Sequence, residues 1–144
     1  MVDLSWNRNL KTTRECIASH AILNPSDIAV IDNDIAITYA QFHQDLNRFI
    51  PAVQRFGLKV GEMVAVEWTT LYPHWLLLLA FETIGVVTFT YSKDEISEYH
   101  SLLCDVDLVL AGDGLLPADI TRVHSISQDW LDAVFSREPE ILDQ

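Results

Sequence analysis

The chain has 144 residues, with 21 acidic and 9 basic side chains and a formal charge of −12. That balance argues against a nucleic-acid backbone or an anionic membrane surface as partner, since both need clustered Lys and Arg. A hydrophobic fraction of 49% and an aromatic fraction of 10% exclude a disordered chain and are sufficient for one sizeable core.

From the N-terminus, Met1–Arg8 lacks the charged-then-apolar layout of a secretory signal, which leaves the cytoplasm as the expected compartment. Asn9–Ile22 reads as a first helix with Leu10, Cys16, Ile17 and Ala21 as its apolar stripe, and Pro25 ends it by biasing Asn24 away from helical geometry. Ile28–Ile31 and Ile35–Ile37 read as a hairpin around Asp32-Asn33-Asp34, apart from the main sheet or at its edge. Thr38 and Gln41 have capping-box spacing, and Tyr39, Phe42, Leu46, Phe49, Ile50, Val53 and Phe56 mark one face of a second helix. Pro51 lies inside that helix, where its ring and missing N–H cost about 3 kcal/mol. The stripe continues beyond it, so a bend or restart is predicted rather than a stop.

Gly57 fits a helix C-terminus, and Met63–Trp68 follows as a strand. Pro73 suits the first position of a third helix running to Thr83, with Gly85 after it. Its segment Trp75–Phe81 is apolar all round but seven residues long, far short of the roughly 20 a membrane span needs, and is assigned to a core. Val86–Tyr91 is a β-rich strand, and Ser92 with Glu95 forms a second capping box before a helix carrying Ile96, Tyr99, Leu102 and Leu103. Asp107–Ala111 reads as a buried strand, Gly112-Asp113-Gly114 as a turn, Arg122–Ile126 as a last strand and Gln128–Phe135 as a short helix. The alternation predicts a layered α/β/α fold with a mainly parallel sheet. Residues 1–135 make one α/β domain in this reading, and 136–144 has linker composition.

Candidate chemistry is sparse. His20, His43, His74, His100 and His124 are scattered, with no two at the i, i+4 spacing of a helical metal site, and read as surface or half-buried side chains. Cys16 and Cys104 have no disulfide framework or metal-ligand spacing and read as buried free thiols. No nucleophile-elbow motif occurs. Asp94, Glu95 and Glu98 read as a capped, solvated helix start, and Gly112–Gly114 as a plain turn, because nothing basic follows before Arg122. Trp68, Tyr72 and Trp75 either pack in the core or line a groove at a strand's C-terminal end.

Four pieces in order resemble the opening of the adenylate-forming ligases: acyl-CoA synthetases, luciferases and the adenylation domains of peptide synthetases. Pro25–Val30 is similar to the family's opening strand, and Ile37–Phe42 to its Thr-Tyr-x-x-Leu element with Phe42 in place of Leu. Phe56–Ala65 resembles the Gly-Val-x-x-Gly-Asp-x-Val-Ala turn, and Leu79–Val87 the Ala-x-x-x-x-Gly-Ala segment. The Pro that usually follows is missing from Thr88–Tyr91.

The resemblance implies the N-terminal subdomain of a ligase that uses ATP and Mg²⁺ to form an acyl-adenylate, then passes the acyl group to coenzyme A or a phosphopantetheine arm. The family's phosphate loop, nucleotide motifs and catalytic Lys are not among these 144 residues. The expectation is therefore a part with no catalytic, cofactor-binding or metal-binding residue of its own. It would present an apolar face to the remainder of the ligase, to a carrier protein or to a second copy. The alternative is a stand-alone binding module that docks on a carrier protein or complements a separate ligase chain.

Overall fold

The computed structural model describes residues 12–113 and 115–140. The expectations placed on Met1–Arg8, on the helix start at Asn9, on Gly114 and on the last four residues of the tail lie outside these. The described chain falls into two compact units, residues up to Gln44 and residues from Asp45 onward, with the boundary inside one helix.

In the first unit, α1 (Thr13–Leu23) starts where the Thr12 hydroxyl accepts the Glu15 amide at 3.2 Å. It ends with the Asn24 N–H donating to the His20 carbonyl at 2.7 Å. β1 (Ile28–Asp32) and β2 (Ile35–Thr38) pair antiparallel as a sheet of their own. Asn33 and Asp34 both take positive φ, 50° and 63°, which gives the hairpin the handedness that matches strand twist. Val30 and Ile37 are buried as a cross-strand pair, while Ile28, Ile31 and Ile35 are exposed. The Thr38 hydroxyl then accepts the Gln41 amide at 3.2 Å and opens α2 (Tyr39–Gln54).

The second unit is built on four parallel strands: β3 (Met63–Glu67), β4 (Val87–Tyr91), β5 (Leu108–Ala111) and β6 (Val123–Ser125), in the order β4-β3-β5-β6. Val64 pairs with Thr88 on one side and Leu108 on the other, so β3 is covered along both edges and both faces. Between strands come α3 (Leu71–Thr83) and α4 (His100–Asp105), and α5 (Gln128–Phe135) follows β6. Alternate side chains go to opposite faces. Ala65, Val109 and Val123 pack with Tyr91, Leu103, Val106 and Ile120 on the α4 side. On the other side lies an aromatic cluster in which Phe56 touches Phe81, His124 and Trp130, while Phe49 contacts Trp130 and Phe135. The layered α/β/α architecture with a parallel sheet is therefore present, and the hairpin strands pair only with each other.

Helix α2 continues past Pro51 as expected, without a restart, and is one element to Gln54. The carbonyl that Pro51 leaves without its helical donor belongs to Asn47, and the Glu140 amide donates to it at 3.3 Å. Helix α3 starts at Leu71, two residues before Pro73. Pro73 still falls in the first turn, where the N–H groups have no helical acceptor anyway. The capping box at Ser92 forms, with the Ser92 amide and hydroxyl donating to Glu95 Oε1 at 2.9 and 3.0 Å, but it opens a 3₁₀ turn (Lys93–Glu95). α4 begins only at His100.

Helix α3 is covered around most of its circumference: Tyr72, His74, Leu76, Leu77, Ala80 and Phe81 are buried, and Trp75 is exposed. No helix among the described residues is long and apolar enough to cross a membrane. Buried polar groups knit this layer. Asp45 accepts from Tyr72 Oη and from Arg48 Nη1, each at 2.6 Å, and Arg48 Nε donates to the Arg137 carbonyl at 2.7 Å. Burial first, then the bond to Asp45, pushes the Tyr72 phenol far above its ordinary range. Tyr72→Phe should lower stability to urea by about 1.5–3 kcal/mol, the value of a hydrogen bond to a charged group, with an unchanged circular-dichroism spectrum.

Candidate functional site

Parallel α/β sheets bind ligands beyond the carboxyl ends of their strands, and this sheet has a cleft there of about 320 Å³. Glu67 and Trp68 reach it from the end of β3, Lys93 from beyond β4, Gly112 and Asp113 from beyond β5, and Ile126, Gln128 and Leu131 from the β6–α5 connection and α5.

Glu67 is the unusual member. It is 2% exposed, and its Oε2 accepts the Gly112 amide at 2.7 Å. A Cβ at position 112 would collide with that same oxygen, so this glycine is needed for close approach and not merely for turning the chain. The Trp68 amide donates to the Tyr91 carbonyl at 2.7 Å, which carries the β3–β4 ladder to the cleft's floor. Burial, followed by the charges of Glu67 and Asp113, holds the Tyr91 phenol protonated well above its usual range.

Across the mouth, Lys93 Nζ and Asp113 Oδ2 pair at 2.5 Å. This bond raises the Lys93 pKa and, with the Leu115 amide donating to the other carboxylate oxygen at 3.0 Å, lowers that of Asp113. The cleft thus presents two carboxylates, each already holding a backbone amide, and a lysine already tied to an acid. Such a lining suits a hydrogen-bond donor or cation and does not fit a triphosphate.

Of the aromatic candidates, Trp68 lines the cleft and is half exposed, its ring 4.9 Å from that of His74. Tyr72 is core, bound to Asp45 and stacked on Phe135. Trp75 is exposed on α3 and does not reach the cleft. Gly112 and Asp113 are the turn expected, with the added duty toward Glu67.

The histidines stay dispersed, but His74 departs from the surface or half-buried expectation. It is 2% exposed, with Nε2 2.9 Å from Thr90 Oγ1, because the all-round apolar helix that carries it is covered on that side too. Both cysteines are exposed, contrary to the buried thiols expected. α1 buries only Ile17, and on α4 Leu103 faces the core, which turns Cys104 outward. Sequence reasoning missed Glu67, for a lone acid ending an apolar strand has no distinguishing spacing. It also missed the His100–Cys104 pair, whose i, i+4 interval was visible.

No protein-family model matches the chain. Over 94 residues it is 27% identical to acetyl-coenzyme A synthetase of Vibrio cholerae, which covers 60% of this chain and 14% of that enzyme. The same identity and length hold for acetyl-coenzyme A synthetase 2 of Eremothecium gossypii. The chain therefore spans about a seventh of the curated relatives it matches. Among solved structures, the N-terminal subdomain of Klebsiella oxytoca NpsA in complex with 3-hydroxybenzoyl-AMSN superposes with a TM-score of 0.73 at 18% identity, covering 90% of this chain and 33% of that one. VinN in complex with L-aspartate superposes at 0.68 and 18%, covering 91% and 41%. The fold is that of the N-terminal subdomain of adenylation domains, and the resemblance to the front portion of the adenylate-forming ligases holds in both sequence and structure.

Two measurements probe the site. Gly112→Ala should cost about 1–3 kcal/mol in urea unfolding, because Glu67 must leave the Gly112 amide to make room. Burial holds the His74 imidazole below 6.5, so as the pH falls the unfolded chain takes up that proton first. Its contribution is complete above pH 6.5 and is lost progressively below it. The melting temperature should be flat above that value and fall beneath it, and His74→Gln should flatten part of the fall. His43, also held low by burial and by Arg14, contributes to the rest, and the lowered carboxyls of Asp113 and Asp119 add to it at more acidic pH.

Proposed function

We propose that these residues serve as the N-terminal scaffold of an AMP-forming acid–thiol ligase. The parent enzyme would activate a carboxylic acid as an acyl-adenylate with ATP and Mg²⁺, then hand the acyl group to coenzyme A or to a phosphopantetheine arm. The observation that carries this reading is the agreement between the two comparisons. The sequence aligns with acetyl-CoA synthetases, and the fold aligns with a subdomain solved in its own right from an adenylating protein. The carrier-protein acceptor gains support from a structure of NpsA fused artificially to a peptidyl carrier domain.

The cleft's chemistry supports the scaffold role. Its lysine is committed to Asp113, its buried acid to a backbone amide, and neither forms a nucleophile–base pair. The chain would thus contribute no catalytic, cofactor-binding or metal-binding group to adenylation and would act in the cytoplasm, where ATP and coenzyme A are available. Trp68, half exposed at the cleft, and Trp75, exposed on α3, would offer apolar side chains to the rest of the ligase.

Residues 1–144 alone should be inert in ATP–pyrophosphate exchange across a panel of carboxylic acids. The protein encoded by the natural reading frame, or the complex it forms with a complementing chain, should exchange with at least one acid. Exchange by the 144 residues alone would overturn the scaffold role, and no exchange by the natural protein would overturn the ligase.

A further inference from the structure

On the face of the sheet away from the aromatic cluster, three side chains of metal-ligating type converge. His100 and Cys104 are one turn apart on α4, and Asp119 stands on the connection between β5 and β6. His100 Nε2 lies 2.7 Å from Asp119 Oδ2, and Cys104 Sγ lies 3.8 Å from His100 Nε2 and 3.9 Å from Asp119 Oδ2. We propose that this triad is a binding site for a divalent zinc-class ion that clips the β5–β6 connection to α4.

The donor set fits the ion. Zinc takes thiolate sulfur at about 2.3 Å and imidazole nitrogen or carboxylate oxygen at about 2.0–2.1 Å, close to tetrahedral. That geometry requires ligand atoms about 3.3 Å apart for the N–O pair and about 3.6 Å for pairs including sulfur. The sulfur distances are within 0.3 Å of this, and the N–O pair needs to open by about 0.6 Å, which replacing a shared proton with a larger cation does.

The backbone is already fixed in place. Leu103, beside Cys104, and Ile120, beside Asp119, are buried in the same core cluster, and the Ile120 amide donates to the Pro117 carbonyl at 3.0 Å to close the turn that presents Asp119. Cys104 and Asp119 are exposed and His100 is partly so, which leaves the site open to water as fourth ligand. Binding exchanges protons for the ion: the S–H bond breaks as the S–Zn bond forms, the proton held between His100 Nε2 and Asp119 Oδ2 leaves as the Nε2 lone pair and the carboxylate take the ion, and both protons go to solvent.

The test uses the 144-residue protein, stripped of metal and titrated with zinc chloride in a calorimeter and with cobalt chloride in a spectrophotometer. One zinc ion should bind per chain, the melting temperature should rise with zinc, and cobalt should give a thiolate charge-transfer band with tetrahedral visible absorption. Cys104→Ser, His100→Gln and Asp119→Asn should each weaken zinc binding by at least about tenfold, the loss that removing even an outer partner causes. All three positions are partly or fully exposed, so the variants should keep the wild-type circular-dichroism spectrum. Cys16→Ser, which alters the other exposed thiol, should leave binding and the cobalt band intact. No stoichiometric binding, or binding and a cobalt spectrum unchanged in Cys104→Ser, would overturn the site.

Discussion

A carboxylate buried under two helices must find donors, and Asp45 finds them on separate elements: the Tyr72 phenol on α3 and the Arg48 guanidinium on its own helix. Arg48 passes the constraint on, because its Nε holds the Arg137 carbonyl beyond α5. Tyr72 does likewise by stacking on Phe135. One 3% exposed acid therefore sets the relative placement of α2, α3 and the end of α5, the layer that covers one face of the sheet. Removing one member of such a network strands the others without water, a cost larger than the bond itself.

The opposite end of the same logic operates at the sheet's carboxyl edge. Glu67 continues an apolar strand with a charged residue, which would be untenable without the Gly112 amide beside it. The arrangement joins β3 to the segment after β5 by a contact that no strand ladder supplies. It also spends the acid that a catalytic reading of the cleft would want free.

Much of the fold was legible because each element announces itself locally. Thr38 with Gln41 and Ser92 with Glu95 have the side chains that capping demands, and Gly57, at φ 74°, takes a backbone conformation that other residues resist. α5 has the bounds expected, Gln128–Phe135, and its start is held by the Ser127 hydroxyl, which accepts the Trp130 amide at 3.2 Å. What stayed hidden depends on distant partners. The donor that satisfies Asn47 sits at Glu140, far along the chain from Pro51, and His74 is buried rather than surface or half-buried because its cover comes from outside its own helix. The triad of His100, Cys104 and Asp119 was half visible: its helical interval is in the sequence, but the third member arrives only when the chain doubles back after β5.

The bond between Asn47 and Glu140 has a consequence for how this sequence can vary. A proline at 51 is tolerable because a backbone amide some ninety residues later takes over the carbonyl it orphans. The two positions form an allele-like pair: a lineage that loses the later strand of contacts is under pressure to replace the proline with a residue that donates. One that keeps the proline must keep the chain running back across α2. Comparison of homologues should therefore show Pro51 inherited together with that returning segment and not with its own sequence neighbours.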